Sequence, residues 1–242
     1  MPTIVALIPA KGTSLRVSEK NIRPLGGHPL LAYTIGPARE TGLFTDVVVS
    51  TESPEVAEIA TRYGASVVYR PAELAQPHSL DIEWVLDAMA DRAEDAFAIL
   101  RPTSPFRTVA GIKRAWRRLL ETSGRADSIR AVERCRQHPA KMWHLDDELL
   151  RPVLEHSRQG SPAHSVPYQL LPEVWVQNSS LEMAWRHVLD DPRPTISGER
   201  IAPFFTEGTE GFSIDYPQDF DLAEWLIARR AVELPAALEA VR

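Results

Sequence analysis

The sequence predicts a three-layer α/β fold built on a mostly parallel β-sheet, and two features carry that expectation. Along the first half of the chain, short and continuously apolar runs rich in β-branched residues alternate with longer segments of helical period. Continuous rather than alternating hydrophobicity suits strands covered by helices on both faces. Strand–helix–strand units of this kind join by right-handed crossovers, and their ligands bind beyond the carboxyl ends of the strands.

The first strand is expected at Ile4 to Ile8, followed by others at Val47 to Val49, Val67 to Tyr69 and Ala96 to Leu100. Ser53-Pro54-Glu55 supplies a capping serine, a proline at the first helical position and an early acid, with Gly64 placed to end that helix. Ile82, Val85, Leu86 and Met89, spaced by three and four, predict the next helix. Ile112, Ala115, Trp116, Leu119 and Leu120 repeat the pattern between Thr108 and Gly124. From Arg136 to Pro172 the regularity breaks at Pro139, Pro152, Pro162, Pro167 and Pro172. This stretch reads as an inserted arm or hairpin, at about 136–176, within a single domain spanning 1–242. Leu181, Met183 and Trp185 alternate as a strand would, Arg200 to Phe205 suggests another, and Pro217 opens a last helix carrying Phe220, Ala223, Leu226 and Ile227. The six tryptophans have apolar neighbours, so core packing is their expected role.

Composition narrows the function. The 242 residues carry 27 Lys plus Arg against 33 Asp plus Glu, a formal charge of −6, so the broad basic footprint of a nucleic-acid binder is missing. A single cysteine, Cys135, allows neither an internal disulfide nor a cysteine-based zinc cluster and suits a reducing compartment. The apolar run at the N-terminus is far shorter than the roughly 20 residues of a membrane span, so a cytoplasmic protein without membrane association is expected. His138, beside Pro139, reads as an interface or surface residue rather than a base, and the other six histidines show no metal-ligand spacing.

The loop after the first strand, Pro9-Ala10-Lys11-Gly12-Thr13-Ser14-Leu15-Arg16-Val17-Ser18-Glu19-Lys20-Asn21, is the candidate site. Glycine and small hydroxyl residues let a backbone approach a ligand, and exposed amides can cradle phosphate oxygens. Lys11, Arg16 and Lys20 add positive charge where the fold places ligands, which suits a polyphosphate. A merely solvated loop would carry the same side chains; its place after the first strand favours the site. It matches neither G-x-x-x-x-G-K-[ST] nor G-x-G-x-x-G, which argues against a P-loop kinase or a dinucleotide oxidoreductase.

Ile8-Pro9-Ala10-Lys11-Gly12-Thr13-Ser14 through Lys20-Asn21-Ile22-Arg23-Pro24-Leu25 resembles the signature I-P-A-R-G-G-S-K-x-x-P-x-K-N-I of the acylneuraminate cytidylyltransferases, the CMP-sialic acid synthetases. Further matches run in order: Val49-Ser50-Thr51, Arg70-Pro71-Ala72-Glu73-Leu74-Ala75, Leu100-Arg101-Pro102-Thr103-Ser104-Pro105-Phe106-Arg107-Thr108, His138-Pro139, and Ser213-Ile214-Asp215-Tyr216-Pro217. The resemblance implies a nucleotide-diphospho-sugar transferase-like fold and a Mg²⁺-dependent enzyme. In it, the hydroxyl of an acidic sugar attacks the α-phosphate of CTP and pyrophosphate leaves. It further implies that Lys11, Gly12, Thr13, Ser14, Arg16, Lys20, Asn21 and Arg70 hold the nucleotide. Thr103, Gln177 and Asn178 would face the acceptor, with Arg101, a departure from the family pattern, placed beside them. Asp215 would bind the metal, with Lys20, Arg16 and Asp215 as the catalytic set, and the arm would serve a homodimer. Asp219 is assigned a structural place at the helix start.

Departures from the family pattern cluster at two places. In the first loop Lys11 replaces an arginine and Leu15 a lysine, and Arg16 is placed to compensate through a two-pronged phosphate contact. Ser213 stands for the first aspartate of D-x-D, Arg101 for a glutamine, and Tyr168 and Val176 for arginines. A rearranged anion site follows, with a nonulosonate, an eight-carbon keto-sugar acid or a smaller carboxylate or phosphonate as acceptor. Two alternatives stay open: a nucleotide or nucleotide-sugar binder impaired in transfer, and a sugar-1-phosphate nucleotidyltransferase using another NTP.

Overall fold

The computed structural model describes residues 1–14, 16–156, 160–232 and 234–235. In chain order the elements are β1 (Ile4–Pro9), β2 (Pro24–Leu25), β3 (His28–Pro29), α1 (Ala32–Glu40), β4 (Val47–Thr51), α2 (Pro54–Arg62), β5 (Ser66–Tyr69) and α3 (Asp81–Met89). They continue with β6 (Ala96–Ile99), α4 (Val109–Glu121), β7 (Ser128–Arg134), β8 (Trp143–Asp146), β9 (Leu149–Pro152), β10 (Trp175–Trp185), β11 (Ile201–Phe205) and α5 (Pro217–Ala228). One seven-stranded sheet has the order β11-β7-β10-β6-β1-β4-β5. β1 runs parallel to β4 and β6, and β4 to β5, whereas β10 is antiparallel to β6.

Alternate residues of β1 feed two separate cores, which makes the layers explicit. Ile4, Ala6 and Ile8 pack with Leu30, Tyr33, Ile35, Ile112 and Leu119. Val5 and Leu7 pack on the other face with Trp84, Val85, Met89, Phe97 and Ile99. Each fully buried Leu or Ile contributes roughly 1.5–3 kcal/mol, so the central strand is held from both sides. The predicted caps are present: Ser53 Oγ accepts the Val56 amide at 3.4 Å, Thr108 Oγ1 accepts the Gly111 amide at 2.8 Å, and Gly64 and Gly124 take left-handed φ of 81° and 75°.

Besides the short β2–β3 pair, α1 and β7 have no counterpart among the expected elements. α1 is buried along most of its length and contains Gly36 and Pro37, so it shows no polar face to give a helical period. β7 carries Arg130, Glu133 and Arg134, which mask its apolar positions. The tryptophans also divide differently from expectation. Trp84 is buried, but Trp143, Trp175 and Trp225 are exposed.

The chain forms two compact units, Met1–Ala131 with Asn178–Arg242, and Val132–Gln177. The second contains the β8–β9 hairpin, with Leu145, Leu149 and Leu150 exposed. Within it His138 is buried, not at a surface; its Nδ1 accepts the Ala140 amide at 3.0 Å and its Nε2 meets the Pro172 carbonyl at 3.0 Å, so the ring braces this segment. Tyr168 donates its hydroxyl to the carbonyls of Cys135 and Arg136. No helix among the described residues is long and apolar enough to cross a membrane.

Candidate active site

In the larger unit a cleft of about 340 Å³ opens beyond the carboxyl ends of β1, β5 and β6. It gathers Lys11, Thr13, Ser14, Arg16, Lys20 and Asn21 from the first loop, Arg70 after β5, and Arg101 and Thr103 after β6. Nine of the sequence-predicted residues therefore meet at one place. Pro9, Leu74, Ser79, Asp81, Trp84 and Pro102 complete its wall.

The first loop is shaped by close packing and an unusual turn. A Cβ on Gly12 would stand 2.6 Å from Ser53 Cβ, so only glycine lets the loop lie against the start of α2. The Gly12 amide donates to Glu52 Oε1 at 2.7 Å, and Asn21 Nδ2 holds the Lys11 carbonyl at 2.8 Å. The Gly12 amide assigned to phosphate thus has a carboxylate partner, and the Asn21 side chain braces the loop. Glu19 adopts φ of 51°, rare for a residue with a Cβ, and its carbonyl accepts the Ile22 and Arg23 amides. Leu15 lies outside the described residues.

The cations of this side rest mainly on neutral acceptors. Lys11 Nζ donates to the Gln76 carbonyl at 2.6 Å and Lys20 Nζ to the Ile214 carbonyl at 3.0 Å. Arg70 is buried, donates through Nε and Nη2 to Ser50 Oγ and carbonyl, and lies 5.1 Å from the Trp84 ring centroid. Its Nη1 is buried with no hydrogen-bond partner among the described residues. Burial pushes the Lys11, Lys20 and Arg70 pKa values below their ordinary range, and Arg70 adds to the effect on Lys11. Neighbouring carboxylates only partly offset this.

Arg101 behaves differently. Its Nη2 lies 2.6 Å from Asp81 Oδ2 and 3.1 Å from Glu182 Oε1, and Glu182 in turn pairs with Arg130 at 2.5 Å. Burial works against its charge, but the Asp81 hydrogen bond and the two carboxylates outweigh it and raise its pKa. Arg101 is therefore a paired charge in the cleft wall. Asn178 donates through Nδ2 to Thr206 Oγ1 and accepts the Ser180 amide, outside the cleft lining. Gln177 is the last residue of the second unit and is exposed.

Asp215 stands beside the cleft, half-buried. Its Oδ1 lies 3.3 Å from Arg16 Nη2 and 3.9 Å from Lys20 Nζ, and its Oδ2 accepts the Ser213 hydroxyl at 2.9 Å. Ser179 Oγ meets Ser213 Oγ at 3.0 Å. Asp219 accepts the Asp215 and Tyr216 amides, the helix-start role expected of it. Sequence reasoning missed Glu52, Asp81, Trp84 and Glu182. Only Asp81 had a usable signal, an acid at the first position of a periodic helix.

Residues 5–150 match the sequence model of the family described as cytidylyltransferase. The chain belongs to that family. Relatives of this cytidylyltransferase-family chain include an N-acylneuraminate cytidylyltransferase of Escherichia coli O18:K1:H7, 36% identical over 145 residues. That alignment covers 60% of this chain but only 34% of the relative, so this chain spans about a third of that protein's length. A CMP-N,N'-diacetyllegionaminic acid synthase of Legionella pneumophila is 29% identical over 232 residues, 93% of this chain and 96% of its own length. Among solved structures, a CMP:2-keto-3-deoxy-manno-octonic acid synthetase complexed with CTP superposes with a TM-score of 0.71 at 14% identity, covering 94% of this chain and 99% of that one. The last likeness concerns the fold, and it agrees with the mostly parallel sheet described above.

Proposed function

We propose that the protein transfers CMP from CTP to a hydroxyl of an acidic sugar, a nonulosonate or related acid, and releases pyrophosphate with Mg²⁺ present. One observation carries the reading: Lys11, Arg16, Lys20 and Arg70 converge on a single cleft at the ligand-binding end of the sheet. The relatives' names, two of them for enzymes that make CMP-linked acids, point the same way. In such a transfer the acceptor oxygen bonds to the α-phosphorus, the bond to the bridging oxygen of pyrophosphate breaks, and the hydroxyl proton leaves to solvent. Charge then builds on the leaving pyrophosphate, and positioned cations stabilise it. An ammonium has three donors and the Ile214 carbonyl takes one from Lys20, which suits Lys20 to the phosphates. Arg70, with its buried Nη1 and its Trp84 platform, suits the nucleoside end.

No group of three or more His, Cys, Asp or Glu able to hold a metal occurs among the described residues. A single half-buried carboxylate braced by Ser213 still fits Mg²⁺, which keeps waters and leans on substrate phosphates. Asp215 would hold the ion, and when bound Mg²⁺ supplies charge neutralisation at the phosphates. On the acceptor side, Arg101 meets an acid in the company of Asp81 and Glu182, which favours an acceptor that also brings hydroxyl or amide donors. The exposed leucines of the β8–β9 hairpin suit burial against a second copy, so we read the protein as a homodimer, working in the cytoplasm with Cys135 reduced. Sedimentation giving a 27 kDa monomer at micromolar concentration would remove the dimer.

The test is pyrophosphate release from CTP and Mg²⁺ across a panel of acid acceptors. Release with at least one keto-sugar acid, and none with GTP or UTP, is expected. Saturable CTP binding without release across the panel would establish the non-catalytic reading instead. Release with UTP or GTP and a phosphorylated acceptor would establish the sugar-1-phosphate one.

A further inference from the structure

We propose that Arg107 is the positioning residue of the acceptor side, a buried guanidinium that ties the two segments on which that side is built, at Arg101 and Ser180, to α1 at Thr34. It deepens the reading above and rests on it for what the segments do. Arg107 is 2% exposed. Nε donates to the Ser180 carbonyl at 2.6 Å, Nη1 to the Thr34 hydroxyl at 3.3 Å, and Nη2 to the Arg101 carbonyl at 3.0 Å. None of the three acceptors is charged. Glu210 lends opposite charge from a distance, but its carboxylate is already taken by Thr108, Arg114 and the Glu207 amide. Burial accordingly pushes the Arg107 pKa down to about 9.

A buried charge without an ionic partner is costly, and an apolar side chain of similar volume would pack there more cheaply. What the guanidinium supplies instead is a rigid planar fork with donors in fixed directions. Nη2 and Nε reach the segments that carry candidate acceptor residues, and Nη1 reaches Thr34 on α1. Arg101 begins the loop bearing Thr103, whose carbonyl accepts the Ile214 amide at 2.8 Å. Ile214 lies between Ser213 and Asp215, and its own carbonyl receives Lys20. Ser180 donates its amide to Asn178, and its neighbour Ser179 meets Ser213. Arg107 therefore sets the mutual spacing of Thr103 and Asn178 without lining the cleft itself.

Arg107→Lys keeps the charge and loses the fork. The variant is expected to raise the acceptor KM and lower kcat by about a hundredfold together, the scale of an ångström-size misplacement, while the CTP dissociation constant stays unchanged. Hydrogen exchange should quicken in peptides covering 101–108 and 178–182 and stay as in the parent over 11–21. Thr34→Val, which removes one acceptor and keeps the buried shape, repeats the pattern on a smaller scale should Arg107→Lys fold poorly. Loss of CTP affinity in step with acceptor KM, or faster exchange spread evenly over the sheet, overturns the proposal. Exchange and CTP affinity read the brace even if the parent protein turns over no acceptor; selective exchange would then keep the brace and remove the reaction.

Discussion

The two sides of the cleft carry similar side chains and use them differently. On the side of the first loop, Lys11, Lys20 and Arg70 donate to carbonyl and hydroxyl oxygens, and one carboxylate, Asp215, is shared at 3.3 Å from Arg16 and 3.9 Å from Lys20. On the β6 side, Arg101 and Arg130 are locked to Asp81 and Glu182. An arginine held by two carboxylates is a strut, whereas a lysine resting on a backbone carbonyl can still meet a phosphate. Charge type alone does not mark a ligand site; the partner does.

The largest expected effect tests the first-loop side. Lys20→Met should lower kcat/KM for CTP by about 10²–10³-fold, the range for removing one donor to developing charge, with little change in melting temperature. Pyrophosphate-release kinetics and a thermal melt check both halves. On the paired side the pattern should invert. Arg101→Gln leaves Asp81 and Glu182 facing each other and should cost about 2 kcal/mol of stability, discounted for partial exposure, with CTP affinity nearly unaffected. Adding Asp81→Asn should recover part of that loss, as urea titrations of the single and double variants would show.

Asp127 extends the comparison to a paired charge far from the first loop in sequence. Arg200 donates to it through Nη2 at 2.6 Å, the Glu199 and Arg200 amides add bonds, and these hold its carboxyl far below the ordinary range. Asp127→Asn should cost roughly 1–3 kcal/mol at neutral pH. Because the folded-state pKa is depressed, that contribution is complete above the unfolded carboxylate value of about 4 and is lost as pH falls below it. Parent and variant melting curves should therefore converge in acid.

Much of this was legible in the sequence because it is local. Ile4 to Ile8 and Val47 to Val49 announce buried strands, and Ser53-Pro54 and Thr108 announce helix starts. The clustering of Lys11, Lys20, Arg70 and Arg101 could be anticipated from the family resemblance. What escaped depends on partners distant in the chain. Glu52 closes on Gly12, Glu182 on Arg101 and Arg107 on Ser180, and no spacing rule connects them. α1 escaped for the opposite reason, since a helix buried on nearly every face has no amphipathic period.

The smallest effect concerns pH. With its pKa lowered chiefly by burial, Lys20 loses its proton earlier than an ordinary lysine. kcat/KM for CTP, which reports the free enzyme, should fall at a pH below the usual lysine range, and Lys20→Arg should move that limb upward.

Titration calorimetry with CTP and Mg²⁺ addresses the cationic cleft most directly. Saturable heat is expected with the parent protein, weakening as salt is added and lost with cytidine or in Lys20→Met. Absence of heat with every nucleoside triphosphate, or binding unchanged in Lys20→Met, would contradict it.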